Sequence, residues 1–305
     1  MKTDRAWIHS GLDETVHSAL AQGMPATQLW SLLLGIVESR AAQRTPAAVF
    51  RQWSTDRFVA PSYMDQRTFN ELDAHLLAAA SEFEAIELSP LAPLGTCASV
   101  ARTTQNRIVS TTRGTEVVSD PTNVLALESA RRLREDGSRV VRLATSHRCV
   151  RAQEVPAVPG YAAHFRMFCM TTAGRERKDQ AFRTDSILHH IRTHLDALTR
   201  LEAHGYSFAS RTIKLLATRE CEHLSQRIAA AIEGVEVAHE PLNHGYYDGL
   251  RFMISARNLN GDAIPLIDGG SFDWVGKIAA NSKLVFVASA IGSQLAAYLY
   301  RRPTA

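Results

Sequence analysis

Two apolar segments near the end of the chain, 251–256 and 263–267, are separated by a short polar turn, and this pattern limits the possible folds more than any other. The turn reads Asn258-Leu259-Asn260-Gly261-Asp262 and is rich in residues that tolerate positive φ. The pair therefore predicts a β-hairpin. Hairpins without regular strand–helix–strand crossovers favour an antiparallel or mixed α+β sheet over a doubly wound parallel one.

The rest of the chain supports the same class. A second hairpin is predicted between 162–170 and a strand near Phe182, across the polar turn 171–180. Apolar spacing predicts helices over 65–80, 123–135, 186–204, 221–232 and 293–301, and strands over 83–88, 107–110, 116–118, 211–216 and 284–288. We therefore expect a mainly antiparallel sheet flanked by helices.

The start of the chain is predicted to be a helical extension, residues 1–60, in front of a main domain, 61–305. Apolar residues recur at helical spacing on both sides of a break at Gly23 and Pro25. The boundary is placed in 44–64, where prolines and mixed polar residues interrupt the pattern.

Composition narrows the class of protein without naming a function. The 34 basic and 31 acidic residues leave a net charge of +3, which gives no electrostatic argument for nucleic acid or a membrane as partner. The longest apolar runs fall short of the roughly 18 to 20 residues that span a bilayer, and no signal peptide is visible. The four cysteines are scattered, so neither a disulfide framework nor a cysteine zinc site is expected. We therefore predict a cytoplasmic protein.

Two short motifs near the end of the chain resemble those of a known family. The segment 245–252 reads Gly-Tyr-Tyr-Asp-Gly-Leu-Arg-Phe and contains a tyrosine pair, Tyr246 and Tyr247. The segment 268–273 reads Asp-Gly-Gly-Ser-Phe-Asp and contains Gly269 and Gly270. In this order the motifs resemble the catalytic domain of class II aminoacyl-tRNA synthetases, most closely the histidyl branch, over about residues 65–301. The resemblance implies that both tyrosines and both glycines line a ligand pocket, although alternation along a strand would send one tyrosine to the pocket and the other to the core.

A third match concerns phosphate binding. Gly174-Arg175-Glu176-Arg177, followed by Phe182 and Asp185, is similar to the motif 2 loop of that family. The resemblance implies that Arg175 and Arg177 bind ATP with magnesium, and that Arg166 on the strand holds the α-phosphate as the catalytic cation. The alternative is a solvated, charged hairpin tip.

A fourth match concerns the substrate ammonium. Asp120-Pro121-Thr122 stands where the histidyl family has the residues that receive the amino group of its amino acid. Asp120, Thr122 and Asp185 would then form a cradle of acceptors for an amine. The alternative is that Asp120 only caps the following helix.

The sequence also departs from the family at positions that matter for ATP. Leu295 stands in place of the motif 3 arginine, Leu242 replaces an arginine before the tyrosine pair, and Ser271 replaces the arginine of the glycine-rich loop. Loss of such cations typically costs roughly 10²-fold or more in rate. Ordinary activation of histidine is therefore not expected. Nor is tRNA expected as a partner, because no residues remain for an anticodon-binding domain.

Two further patterns are set aside. His190 and His194 have the spacing of metal ligands on a helix, but no glutamate follows His190, and no metal site is predicted. The basic run 131–134 has glutamates beside it and is interpreted as an ion-paired surface rather than a nucleic-acid contact.

Two hypotheses follow from the resemblance. The first is a diverged histidyl-tRNA synthetase paralogue that binds a small amino-acid-like or nucleotide ligand in a regulatory or biosynthetic role. In kind it resembles the synthetase-like regulatory subunit of ATP phosphoribosyltransferase. The second is an ATP-dependent ligase that forms an acyl-adenylate and transfers its acyl group to an acceptor. In either case the resemblance implies a homodimer built around 65–90.

Overall fold

A computed structural model describes residues 11, 13–155, 160–243 and 245–303. Its helices in these ranges are α1 Glu14–Ser18, α2 Ala26–Ala42, α3 Pro46–Thr55, α4 Gln66–Ala79, α5 Thr96–Val100, α6 Pro121–Glu135, α7 Ala181–Glu202, α8 Glu222–Ala230, α9 Trp274–Ile278 and α10 Ser293–Leu299. Its strands are β1 Glu84–Ala85, β2 Leu91–Pro93, β3 Thr115–Val117, β4 Val141–Val150, β5 His164–Arg175, β6 Ala209–Ala217, β7 Glu236–Pro241, β8 Leu250–Arg257, β9 Ala263–Phe272 and β10 Leu284–Ile291.

One large sheet organises the described residues. Its eight strands have the order β1-β4-β5-β10-β9-β8-β6-β7, and β2 pairs with β3 in a small separate sheet. The two outermost pairs, β1 with β4 and β6 with β7, are parallel, whereas the remaining neighbours are antiparallel. The predicted α+β class with a mainly antiparallel sheet is confirmed, and so is the hairpin of β8 and β9.

Helices cover both faces of the sheet. On one face α4, α7 and α10 bury an apolar cluster that includes Leu72, Ile191 and Phe168. On the other face α6 and α9 bury a second cluster, which includes Leu125 and Phe286. Because side chains alternate along a strand, neighbouring residues of β5 contribute to opposite clusters.

The second predicted hairpin is wrong. Strand β5 continues through 171–175, and the segment after it enters α7 at Ala181 instead of returning as a strand. The hairpin partner of β5 is instead β4, the strand before it. Thr171 and Thr172, which look like turn residues in the sequence, are buried, and Thr172 forms a hydrogen bond with His190.

The segment that we interpret as a boundary also contains a helix. Thr45 caps α3 by accepting a hydrogen bond from the backbone of Ala48, and Pro46 occupies the first turn. These residues favour the start of a helix, which explains the difference from the prediction. None of the residues of α1, α2 or α3 is buried. The division at residue 60 stays a prediction.

Candidate functional site

A cavity of about 490 Å³ lies on the α6 side of the sheet. Its floor is formed by β5, β9 and β10, and its walls by the start of α6, the loop after β4 and the turn before β8. The described residues that line it include Asp120, Thr122, Arg151, Gln153, Glu154, Tyr161, Phe165, Arg166, Met167, Tyr246, Tyr247, Met253, Leu266, Asp268, Gly269, Phe272, Ala288, Ala290 and Leu295. A volume of this size is typical of small-molecule sites.

The cavity brings together six of the ten predicted site residues: Asp120, Thr122, Arg166, Tyr246, Tyr247 and Gly269. Gly270 lies beneath one wall, because a Cβ there would come within 2.6 Å of Cδ1 of Tyr247. Its role is therefore to let a tyrosine pack closely on the sheet.

Three predicted residues do not reach the cavity. Arg175, Arg177 and Asp185 line a separate depression beside α7. Arg177 there forms an exposed ion pair with Asp185, at 2.6 Å. Arg175 is the last residue of β5, and the other two residues follow it in the chain. All three therefore lie at the end of β5 that is opposite to its connection with β4. The prediction that they share one ligand with Asp120 thus has no geometric support.

Asp120 has both of the roles considered for it. Its Oδ1 accepts hydrogen bonds from the backbone N–H of Thr122 at 3.0 Å and from the Thr122 hydroxyl at 2.7 Å, so it caps α6. Its Oδ2 lies 3.8 Å from a guanidinium nitrogen of Arg151. The side chain is one-fifth exposed and borders the cavity. The cap uses one carboxylate oxygen and leaves the other beside the cavity.

Arg151 is the site residue that sequence reasoning missed. Its Nε donates a hydrogen bond to the backbone oxygen of Ser119 at 3.0 Å, and its guanidinium lies 5.0 Å from the centre of the Phe165 ring. It directly follows β4, a strand that the apolar pattern does not reveal. Recognition of β4 and of its hairpin with β5 would have placed this arginine beside the cavity.

Arg166 borders the cavity, but its charged group turns to the other face of the sheet. The guanidinium pairs with Asp73 of α4 at 2.6 Å and donates a hydrogen bond to the Ser146 hydroxyl at 3.1 Å. The next residue, Met167, packs with the α6 cluster, as strand alternation requires. Burial raises the pKa of the Asp73 carboxyl, with the hydrogen bond from Ser146 and the charge of Arg166 opposing the rise. Arg166 therefore joins α4 to the sheet, which gives no support to the phosphate contact predicted for it.

The tyrosine pair stands beside carboxylates. The Tyr247 hydroxyl donates a hydrogen bond to Asp268 at 2.8 Å, and Arg251 binds the same carboxylate through two hydrogen bonds of 2.8 and 2.9 Å. Desolvation raises the pKa of Tyr246, and the nearby charge of Asp120 raises it further. Tyr246 therefore places an uncharged phenol near Asp120.

The charge on the lining favours a cationic ligand group over a triphosphate. Asp120, Glu154 and Asp268 are the anionic residues among the described lining, and Arg151 and Arg166 are the cationic ones. Arg166 is paired with Asp73, and Asp268 is paired with Arg251, so Asp120, Glu154 and Arg151 are the charged lining residues that remain for a ligand. The described residues also contain no group of three or more His, Cys, Asp or Glu placed to hold a metal ion. The described lining thus offers fewer cations than carboxylates to the phosphates of a nucleotide.

The fold is that of the class II aminoacyl-tRNA synthetase core, of the histidyl type. No protein family model matches the sequence, and no curated protein matches it. Among solved structures, the chain resembles an ATP phosphoribosyltransferase regulatory subunit/histidyl-tRNA synthetase from Bacillus halodurans, with a TM-score of 0.59 and 13% identity over 79% of this chain and 81% of that one. It also resembles a histidine–tRNA ligase subunit from Alicyclobacillus acidocaldarius, with a TM-score of 0.57 and 14% identity over 84% and 96% of the two chains.

A histidyl-tRNA synthetase is matched over a smaller share of both chains. The chain aligns with the apo histidyl-tRNA synthetase of S. aureus at a TM-score of 0.53 and 10% identity, over 75% of this chain and 64% of that one. The chain thus spans less than two thirds of that synthetase. Within the described residues, no helix combines the length and apolarity needed to cross a bilayer.

Proposed function

We propose that this chain is a histidyl-tRNA synthetase paralogue that binds an α-amino acid in its cavity and serves a regulatory or biosynthetic role rather than charging tRNA. The observation that carries the proposal is the pairing of Asp120 with Arg151 at the cavity wall, where the two groups lie 3.8 Å apart. A separation of this length leaves both groups able to bind a ligand, the carboxylate an ammonium and the guanidinium a carboxylate. An α-amino acid carries both of these groups on one carbon.

A regulatory role fits the resemblance to the Bacillus halodurans protein, an ATP phosphoribosyltransferase regulatory subunit/histidyl-tRNA synthetase. A nucleotide ligand has less support, because the cavity has more carboxylates than cations. The same excess weighs against the ATP-dependent ligase, the second hypothesis. A cytoplasmic location is part of the proposal and agrees with four cysteines that are all free and buried.

Removing the charge of Asp120 should weaken amino acid binding. Asp120→Asn keeps a good helix cap but loses the ionic partner of the ammonium, so we expect the dissociation constant to rise at least 10-fold, about 1.5 kcal/mol or more. Isothermal titration calorimetry with the twenty standard amino acids measures the effect.

A matched control comes from the cap of α4. Asp65 caps that helix through the backbone of Thr68 in the same way and lies outside the cavity lining. Asp65→Asn should leave binding unchanged. Failure of the wild type to bind any amino acid would refute the proposal. ATP–pyrophosphate exchange above background with any of the amino acids would replace it with the ligase.

The predicted homodimer around 65–90 is a further part of the proposal. Arg67 on α4 is almost fully exposed, and Glu71 carries an ion pair with Arg301 at the helix surface. Light scattering should give twice the 33.6 kDa of one chain. A mass of one chain at micromolar concentration would contradict the dimer.

A further inference from the structure

The cavity is polar at one end and apolar at the other. Asp120, Thr122 and Arg151 lie together at the start of α6. Along the sheet towards α10, the lining changes to Met253, Leu266 and Leu295, with the buried amide of Gln294 as a polar neighbour. The second end has no cation to offer, and it is closed in part by apolar packing.

The apolar end is built by contacts between the β4–β5 loop and α10. A Cβ added at Gly160 would lie 2.8 Å from Cδ1 of Leu295 and 3.4 Å from the Tyr298 ring, so the loop backbone rests directly on these side chains. The floor beside them is held by a hydrogen bond of 3.3 Å from the backbone N–H of Gly292 to the oxygen of Leu266. Leu266 itself is buried. These contacts make the end of the cavity beside α10 largely apolar, with Gln294 as its polar residue.

We infer that the ligand is an α-amino acid with a long apolar side chain, whose ammonium and carboxylate bind at Asp120 and Arg151 and whose side chain extends towards Leu295. The inference rests on the proposed function and adds the class of side chain. A cavity of about 490 Å³ has room for more than a small amino acid, and its apolar lining is stabilised by a hydrocarbon rather than by water or phosphate.

The inference predicts a dependence of affinity on chain length. Straight-chain 2-aminoalkanoic acids from alanine to 2-aminooctanoic acid share one polar head and differ only in methylene number. Each methylene that enters the apolar end should improve the dissociation constant about fourfold, until the compartment is full. Titration calorimetry of the full chain at constant pH and salt measures the series, with ATP as a comparison that should bind weakly.

Variants at Leu295 test whether the gain in affinity per methylene arises at the apolar end of the cavity. Leu295→Gln places an amide of similar size in the apolar end, so the gain per methylene should fall to less than twofold while alanine binds as before. Leu295→Met conserves the apolar lining and should retain the fourfold gain. Equal binding of all chain lengths to the wild type would overturn the inference and leave the proposed function standing. A fourfold gain that persists in Leu295→Gln would also overturn it, whereas absence of binding by every member would refute the proposed function itself.

Discussion

Lowering the pH from 7.5 to 5 should reduce the free energy of unfolding by about 4 kcal/mol through two buried histidines. His190 and His194 lie on α7 and face the sheet, each 2.8 Å from the Ser289 hydroxyl, and His190 also contacts the Thr172 hydroxyl at 2.9 Å. Burial lowers the pKa of His194 to about 3 and holds the pKa of His190 well below its ordinary 6.5. Both rings are therefore neutral in the folded protein.

The direction of the effect follows from the folded and unfolded pKa values. Above pH 6.5 neither state binds a proton at these rings, and the stability is complete. As the pH falls from 6.5 towards 3, the unfolded chain takes up protons that the folded chain excludes, which costs about 2 kcal/mol per histidine at pH 5. Glu128, whose pKa is lowered to about 2 by hydrogen bonds from Arg131 and Arg132, loses its contribution only under about pH 4.5, which is below the pH range of the experiment.

Urea unfolding at pH 7.5, 6.5, 5.5 and 5.0 measures the loss. His194→Gln should reduce the loss by about 2 kcal/mol, and the relevant readout is the difference between pH values, because the substitution changes the packing at every pH. His223 is exposed on α8, and His223→Gln should keep the pH dependence of the wild type. An unchanged pH dependence in His194→Gln would contradict the assignment.

Replacing Gly270 with alanine should lower the free energy of unfolding by about 3 kcal/mol, near the upper end for overpacking. A Cβ at this position would lie 2.4 Å from the backbone oxygen of Leu250, 2.6 Å from Cδ1 of Tyr247 and 3.0 Å from Cα of Arg251. Two of these atoms belong to the backbone of β8, which pairs with β9 and cannot withdraw without loss of ladder hydrogen bonds. The strain also falls on Tyr247, a wall of the cavity.

Gly245→Ala is the control, because a Cβ there would meet nothing within 4 Å. It should change the stability by less than about 0.5 kcal/mol. Urea denaturation at pH 7.5 compares the two variants with the wild type. A loss below about 1 kcal/mol in Gly270→Ala would show that the β8–β9 pair yields more easily than its geometry indicates.

Strand β4 and the end of β5, residues 171–175, are not predicted as strands, and they carry polar residues whose partners are distant in the chain. In β4, Arg148 lies over the Phe69 ring of α4 and forms a hydrogen bond with His164, so its charge has partners that no local pattern reveals. In β5, Thr172 serves a buried histidine of α7 and is not part of a turn. Apolar periodicity finds a strand only where its polar side faces water, and both faces of these strands are covered.

The sequence by itself determined the fold class, the β8–β9 hairpin and the cap of α6, since these depend on spacing and turn chemistry within a few residues. Only the tertiary structure decided which charges meet at the cavity. A shift of one residue along β5 moves a side chain from one face of the sheet to the other. For this reason the charged group of Arg166 lies against α4 and not in the cavity. Arg151 reaches Asp120 because a hairpin joins segments that are distant in the chain.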